Sequence, residues 1–337
     1  MPLSRFLLAA LLSLLLTACT TTGNPPPAAA VLLPAPRSEL PALDSLLPAH
    51  ARVLVLGDSI TQDGRYVTDL EYYLHAAGLP VDLISIGLSS ETVSGLSEAS
   101  EAVRRPWVLQ RLDRALKAVK PTVVLACYGM NDGTYRPLTP EILAAFTAGL
   151  HQLIDHVRAA GATLVLITPS VFEPAPIAAK TVPVTAAQFG YSHPYAGYDE
   201  VLGEFARTEL ALHEPGVTVI DLHTPMAAAL AARRAQDPAF AFAKDGVHPG
   251  DLGHLVMAEV ITAGLGLTAP AAPDAELARL SADPVFGLIR ERRELRSEAW
   301  LPFVGYTRGD TFKSASVTAA EKVAARLQRE IDATGAR

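Results

Sequence analysis

Two polar segments far apart in the sequence contain residue types that together could perform nucleophilic catalysis. Asp245 and His248 lie three residues apart in "DGVH", a spacing that lets the carboxylate reach the imidazole Nδ1 while Nε2 points away. A serine acts as a nucleophile at neutral pH only beside such a base, and Ser59 directly follows the apolar run "VLVLGD". These side chains suit attack on a carbonyl carbon, with Ser59 as nucleophile, His248 as base and Asp245 as the group that orients His248.

Such a reaction also needs hydrogen-bond donors aimed at the oxyanion of its tetrahedral intermediate. We expect three donors, which are the backbone N–H groups of Ser59 and Gly87 and the side-chain amide of Asn131. Each of these residues comes directly after an apolar run, and a glycine at position 87 permits a close approach of the backbone. The sequence therefore predicts an oxyanion hole formed by Ser59, Gly87 and Asn131.

Other interpretations of the same residues remain open at this point. Ser59 could be a helix N-cap, since serine is common there, and Asn131 could be an ordinary turn residue. His223, next to Asp221 in "VIDLH", is a weaker candidate for the base. We interpret two further acids as residues that shape loops: Asp58 and Asp132.

The order of apolar runs and helical stripes predicts which elements position these residues. Short β-branched runs occur at 52–56, 81–86, 122–127, 163–168 and 217–221, separated by segments with helical spacing. Continuous apolar strands that alternate with amphipathic helices indicate a parallel sheet covered on both faces. We therefore expect an α/β fold, a flavodoxin-like three-layer α/β/α sandwich with a five-stranded parallel sheet. In such sheets the site lies at the carboxyl ends of the strands, where the candidate residues are predicted.

The four short motifs around these residues resemble the sequence blocks of the SGNH, or GDSL-type, hydrolase family. In chain order they are "GDS" at 57–59, Gly87, "GMND" at 129–132 and "DGVH" at 245–248. The resemblance covers roughly residues 50–265, and one departure is Ile86, where the family often has an asparagine before the glycine. It implies an ester hydrolase with the triad Ser59, His248 and Asp245, and with the oxyanion hole named above.

A long connection and a tail add aromatic residues whose roles the sequence leaves open. The segment 172–198 is longer than the usual strand-to-helix connection of about 2–6 residues. Its rings could bind a sugar or an acyl chain, or could fix the segment to the domain: Phe189, Tyr191, Tyr195 and Tyr198. For Trp300 and Tyr306, in the tail, we favour packing.

The first residues are typical of a bacterial lipoprotein signal peptide. Arg5 precedes an apolar run that is too short to span a bilayer, and "LTAC" ends at Cys19, the expected lipidation site. We predict four segments: a signal peptide at 1–18, a Pro/Ala-rich tether at 19–49, a hydrolase domain at 50–268 and a charged helical extension at 269–337 that packs on it. Export to the outer membrane, facing the periplasm, is the expected localisation, with the lipid anchor as the contact with the membrane.

The net charge and the residue types of the chain disfavour several classes of ligand. A net charge of -7 in 337 residues disfavours nucleic acid as a partner, and we expect neither a metal nor a cofactor because no ligand cluster or phosphate loop is present. The expected function is a serine esterase that removes short acyl groups, such as acetyl, from carbohydrate or other small esters. A lipase, lysophospholipase, thioesterase or acyl transferase is the alternative, and a non-catalytic glycan-binding module is disfavoured because the triad is complete.

Overall fold

A computed structural model of the chain describes residues 46–48, 50–79, 81–98, 104–270, 272–305 and 316–335. Its centre is a five-stranded parallel sheet in the order β2-β1-β3-β4-β5. The strands are β1 (Arg52–Gly57), β2 (Asp82–Ser85), β3 (Val123–Cys127), β4 (Thr163–Ile167) and β5 (Val217–Ile220). The side chains of β3 are buried throughout, as expected for a parallel strand that is covered on both faces.

Ten α-helices lie among the described residues. They are α1 (Ser59–Asp63), α2 (Arg65–Ala76), α3 (Leu112–Val119), α4 (Pro140–Ala159), α5 (Tyr198–Leu210), α6 (His223–Arg234), α7 (Asp251–Gly264), α8 (Pro273–Ala282), α9 (Pro284–Phe303) and α10 (Val317–Gly335). Helix α4 begins where the sequence indicates, because Thr139 accepts a hydrogen bond from the N–H of Ile142 and Pro140 takes the first helical position.

The strand order places a topological switch point between β1 and β3. The chain leaves β1 towards β2 on one side and leaves β3 towards β4 on the other. Right-handed crossovers therefore put α2 on one face of the sheet and the helices that follow β2, β3 and β4 on the opposite face. The connections diverge above β1 and β3, so a crevice opens at their carboxyl ends. Ser59 follows β1 and Asn131 follows β3, at the two sides of this crevice.

The C-terminal extension covers the β2 edge of the sheet. Helix α9 packs against α2 and β2, and α10 packs against α9. Arg296 of α9 donates from Nη1 to the carbonyl of Leu83 (2.7 Å) and forms ion pairs with Asp82 and Glu321. An uncovered edge strand invites pairing with another chain. The extension therefore covers an edge strand that could otherwise pair with another chain.

The predicted fold is confirmed, with changes at the ends of elements. The segment with helical spacing between β2 and β3 divides into a 3₁₀ turn, Val108–Gln110, and α3, because the chain bends at Arg111. Cys127 is buried and its thiol is free, and burial raises the pKa of the thiol well above its usual value. Cys19, the tether up to residue 45, and Tyr306 lie outside the described residues.

Candidate active site

The three residues of the predicted triad lie together at the carboxyl end of the sheet. Ser59 Oγ is 2.8 Å from His248 Nε2, and His248 Nδ1 is 2.7 Å from Asp245 Oδ2. With the ring proton on Nδ1, where the carboxylate accepts it, Nε2 is free to accept the proton of the serine hydroxyl. This hydrogen-bonded chain joins residues that are 189 positions apart in the sequence.

A tight turn before α7 fixes the carboxylate against the imidazole. Asp245 Oδ1 accepts hydrogen bonds from the N–H groups of Val247 (3.0 Å) and His248 (2.8 Å), which leaves Oδ2 for the ring. Gly246 between them has φ of 83°, a conformation that L side chains rarely adopt, and a Cβ there would lie 2.7 Å from Ile177 Cδ1. The turn therefore requires glycine at position 246.

The ionisation of the pair follows from this geometry. The hydrogen bond to Asp245 raises the pKa of His248 above its ordinary 6.5, more than burial lowers it. Burial alone would raise the pKa of Asp245, but the hydrogen bonds from the ring and backbone of His248 outweigh it and lower that pKa well below 3.8. The carboxylate is therefore charged across the physiological range, and it stabilises the imidazolium that forms when His248 takes a proton.

The nucleophile sits at the first position of α1, and the acid before it caps that helix. Asp58 Oδ1 accepts from the N–H of Ile60 (2.9 Å), so Asp58 rather than Ser59 performs the capping. Burial raises the pKa of Asp58 to about 7, against the opposing effect of its backbone hydrogen bond. The N-cap of α1 is therefore Asp58 and not Ser59, and the Ser59 hydroxyl makes its hydrogen bond with His248.

The three predicted oxyanion donors follow the carboxyl ends of the neighbouring strands β1, β2 and β3. A Cβ on Gly87 would lie 2.4 Å from the backbone nitrogen of Gln62, so only glycine fits where β2 meets α1. Within the described ranges, the N–H groups of Ser59 and Gly87 have no hydrogen-bond acceptor. Asn131 Nδ2 donates to Asp58 Oδ2 (3.2 Å) and to the Glu91 carbonyl (3.4 Å). The two backbone N–H groups therefore retain capacity to donate to a developing anion, whereas Nδ2 must exchange one of these contacts to do so.

Buried charges behind the crevice were not identified from the sequence. Glu91 is paired with Arg111 and accepts from the hydroxyl of Tyr128 (2.7 Å), all of them buried. Glu98 is paired with Arg105, whose Nη1 donates to Asn131 Oδ1 (2.8 Å). Neither arginine belongs to a motif or a periodic stripe, so the sequence carries no signal for these contacts.

Asp132, which we interpreted as a loop-shaping acid, has that environment here. Its Oδ1 accepts from the N–H groups of Val93 (2.9 Å) and Ser94 (2.8 Å), and its Oδ2 accepts from that of Gly129 (3.0 Å). These bonds tie the loop after β3 to the loop after β2. Asn131, next to Asp132, is thereby set between them.

His223, the weaker candidate for the base, and His254 of α7 lie in other environments. His223 is buried at the start of α6, with Nε2 3.9 Å from Asp199 Oδ2, and it does not contact Ser59. Asp221 accepts from the N–H of Thr224 (3.1 Å) at the same helix start. His254 is buried in α7 against the ring of Tyr66, whose backbone N–H donates to its Nδ1 (3.3 Å). The structure brings His248 alone of these three histidines to the serine.

The aromatic residues of the 172–198 segment divide into anchors and one exposed ring. Tyr198 is buried, stacks on Tyr135 and donates to the carbonyl of Met130 (2.9 Å), while the N–H of Tyr195 donates to the Tyr135 carbonyl (2.9 Å). Phe189 packs edge-on against Tyr195. Tyr191 is 46% exposed and packs edge-on against Tyr135, and burial together with the nearby Asp245 carboxylate raises the pKa of its hydroxyl. Tyr191 is thus the ring of this segment that borders the triad.

Comparison with known proteins identifies the family. A sequence profile of the GDSL-like lipase/acylhydrolase family matches residues 55–256, more than half of the chain. The chain therefore belongs to the GDSL-like lipase/acylhydrolase family, and it is a carboxylic ester hydrolase. No curated protein is similar enough to count as a match.

Solved structures with a similar fold include two described as acetylxylan esterases. A catalytic mutant of Axe2, an acetylxylan esterase from Geobacillus stearothermophilus, is 21% identical, with 66% of this chain and 97% of that chain covered and a TM-score of 0.48. The acetyl xylan esterase AlAXEase is 19% identical, with 63% and 98% covered and a TM-score of 0.42. A GDSL-like lipase from Bacteroides thetaiotaomicron is 17% identical, with 64% and 88% covered and a TM-score of 0.42.

The described ranges lack two features, a membrane-spanning helix and a cluster of metal-binding side chains. None of the helices there is long and apolar enough to cross a membrane. Nor do three or more His, Cys, Asp or Glu side chains come together there in a way that could hold a metal ion.

Proposed function

We propose that the chain is a serine esterase that removes short acyl groups, such as acetyl, from carbohydrate or other small esters. The observation that carries this proposal is the hydrogen-bonded chain from Ser59 Oγ to His248 (2.8 Å) and from His248 to Asp245 (2.7 Å). A serine in this arrangement is activated by the imidazole, which is activated in turn by the carboxylate.

The reaction proceeds in two halves. Ser59 Oγ attacks the carbonyl carbon of the ester while His248 Nε2 takes the hydroxyl proton, and the C–O bond to the alcohol then breaks as His248 returns that proton to it. Water, deprotonated by His248, attacks the acyl-enzyme, and the carboxylic acid leaves as Ser59 regains its proton. Asp245 keeps the ring in the required tautomer throughout both halves.

The negative charge on the carbonyl oxygen is stabilised by the N–H groups of Ser59 and Gly87 and by Asn131 Nδ2. The absence of competing acceptors for the two backbone groups among the described residues supports this assignment. Donors that are already oriented need no reorganisation when the charge develops, and each contributes about 2.7–4 kcal/mol to catalysis in comparable sites. Asn131→Ala is accordingly expected to lower kcat by about 10²- to 10³-fold.

The groups around the triad support a polar alcohol portion in the substrate. Arg65 is 40% exposed and donates to the carbonyl of Pro249 (3.2 Å), next to His248, and it is paired with Asp63. Tyr191, whose ring is 46% exposed, lies near the Asp245 carboxylate. Polar groups and an exposed aromatic ring suit a sugar better than a long acyl chain, because a hydrocarbon chain would remove the charged groups from water without giving them a hydrogen-bond partner.

A series of p-nitrophenyl esters from acetate to decanoate tests the proposal. Full-length protein is assayed beside its Ser59→Ala variant, with thermal unfolding to show that both are folded. We expect the highest kcat/KM on acetate and loss of hydrolysis in the variant. A maximum on decanoate would favour the lipase alternative, whereas equal activity of both proteins would refute the role of Ser59.

We also propose that Cys19 carries the lipid that anchors the protein to the outer membrane, facing the periplasm. The support is the sequence alone, since the apolar run that ends in "LTAC" has the form of a lipoprotein signal. Cells that express the protein are grown with radiolabelled palmitate. Labelled protein in the outer-membrane fraction is expected, and its persistence in Cys19→Ala would contradict the assignment.

A further inference from the structure

The oxygen of the Asn131 side chain has two donors. Arg105 Nη1 donates to Oδ1 at 2.8 Å and the hydroxyl of Tyr135 donates to it at 3.2 Å. The two ends of an amide differ, since Oδ1 only accepts hydrogen bonds and Nδ2 only donates them. Two donors on Oδ1, with Asp58 Oδ2 and the Glu91 carbonyl as acceptors on the other side, therefore fix which end of the amide is Nδ2. In the flipped orientation a carbonyl oxygen would face the oxyanion and would repel it.

Arg105 is itself held rigidly. Its guanidinium is paired through two nitrogens with Glu98, with Nε donating to Oε2 at 2.7 Å, and its side chain is 7% exposed beside a carboxylate that is 1% exposed. The guanidinium also lies over the ring of Tyr135, 5.4 Å from its centroid. The backbone N–H of Arg105 donates to Ser97 Oγ (3.0 Å). The third nitrogen of the guanidinium, Nη1, is thus aimed at Asn131.

Because burial removes both charges from water, the ion pair between Arg105 and Glu98 contributes little to the stability of the folded protein. Removing two charges from water offsets much of their attraction, so a buried ion pair is often replaceable by apolar residues without loss. The position of the pair is better explained by what the arginine does to the amide. Donation of hydrogen bonds to Oδ1 polarises the amide, and a polarised amide is a stronger donor at Nδ2.

We infer that Arg105 is a positioning residue, which orients and polarises the Asn131 amide so that Nδ2 donates to the oxyanion. This inference rests on the proposed function, because it assigns a role within the oxyanion hole of the same site. Glu98 has the supporting role of holding the guanidinium in place. Gly190 of the 172–198 segment lies next to this pair, since a Cβ there would be 3.5 Å from Glu98 Cγ.

A double-mutant cycle on p-nitrophenyl acetate tests the inference. Arg105→Gln, Asn131→Ala and the combined variant are compared with wild type in kcat and in KM. If the arginine acts through the amide, Arg105→Gln lowers kcat by about 10- to 100-fold and changes KM by less than about threefold, because only the transition state carries the full charge. In the Asn131→Ala background the same substitution then changes kcat by less than about threefold.

A second variant shows whether a loss of kcat comes from misfolding. Arg105→Gln leaves Glu98 buried without a partner, so Glu98→Gln is combined with Arg105→Gln to remove both charges, and the same loss of kcat is expected. Arg296→Gln is the matched control, because this arginine is also buried and paired with carboxylates but lies at the β2 edge. Its kcat should equal that of wild type.

The outcomes separate the inference from the proposed function. If hydrolysis by wild type depends on Ser59 but Arg105→Gln and the charge-free double variant both keep wild-type kcat, the inference is overturned and the proposed function stands. Equal losses of kcat in the wild-type and Asn131→Ala backgrounds would also overturn it, since Arg105 would then act independently of the amide. If Ser59→Ala is as active as wild type, the proposed function itself is refuted.

Discussion

Glu259, in the middle of α7, makes the stability of this protein depend on pH. Its side chain is 0% exposed, and neither carboxylate oxygen has a hydrogen-bond partner among the described residues. Burial, and then the nearby acids Glu276, Asp69 and Asp274, raise its pKa from 4.5 to about 8 against the opposing effect of Arg233. We therefore expect Glu259 to be protonated in the folded protein at neutral pH and ionised in the unfolded chain.

The sign and size of the effect follow from proton linkage. Between pH 4.5 and 8 the folded state holds one more proton than the unfolded state, so the free energy of unfolding falls as pH rises through this window. A change of pKa from 4.5 to about 8 corresponds to about 5 kcal/mol at most. Relaxation of the surroundings lowers the measured value, and we expect a loss of about 2–4 kcal/mol between pH 5 and pH 8.

Glu259→Gln removes the titrating group with little change in volume. Urea unfolding at pH 5, 6.5 and 8 should show the variant close to wild type at pH 5 and more stable by about 2 kcal/mol or more at pH 8. Glu291→Gln, at an exposed position on α9, is the control and should leave the profile unchanged. A stability difference between Glu259→Gln and wild type that is the same at all three values of pH would refute the reasoning.

Three further predictions concern the triad, the exposed ring and the extension. The substitution Asp245→Asn should lower kcat by about 10²- to 10⁴-fold. The acidic limb of the variant's kcat/KM profile should move to lower pH, since the hydrogen bond that raises the pKa of His248 is lost. An acidic limb at the same pH as in wild type would contradict this. Tyr191→Ala should raise KM for an acetylated sugar about fivefold, the equivalent of about 1 kcal/mol of ring contact, whereas Tyr191→Phe should leave KM unchanged. Equal KM values for the two variants would show that the ring does not contribute to sugar binding. Arg296→Gln should lower the free energy of unfolding by about 1–3 kcal/mol, because the carbonyl of Leu83 loses its donor, and an unchanged urea midpoint would show that the extension does not depend on this contact.

The elements of the sheet could be predicted because each has a local cause. Apolar runs broken by Gly or Pro located all five strands to within one or two residues, as in the run 81–86, where the strand is Asp82–Ser85. The charged extension, expected to be helical over 269–337, contains α8, α9 and α10. The meeting of Ser59, His248 and Asp245 also followed from position, because parallel strands bring their carboxyl ends to one edge of the sheet.

Side-chain contacts between distant loops have no such local cause. The pairing of Arg105 with Glu98 and Asn131 depends on how the loop after β2 folds back, and nothing in "EAVRRPW" distinguishes one arginine from the other. The aromatic residues of the 172–198 segment were equally ambiguous. Tyr198 is an anchor because it donates to Met130 of another loop, whereas Tyr191 packs on Tyr135 and stays exposed.

Covalent labelling of the serine tests the central claim most directly. Full-length protein is treated with p-nitrophenyl phosphonate, which transfers its phosphonyl group to an activated serine, and the adduct is located by peptide mass spectrometry. The hydrogen-bonded chain from Ser59 to Asp245 predicts a single adduct on Ser59 that appears as hydrolysis is lost, and none in Ser59→Ala. An adduct on another residue, or loss of hydrolysis without modification of Ser59, would contradict the assignment of the nucleophile.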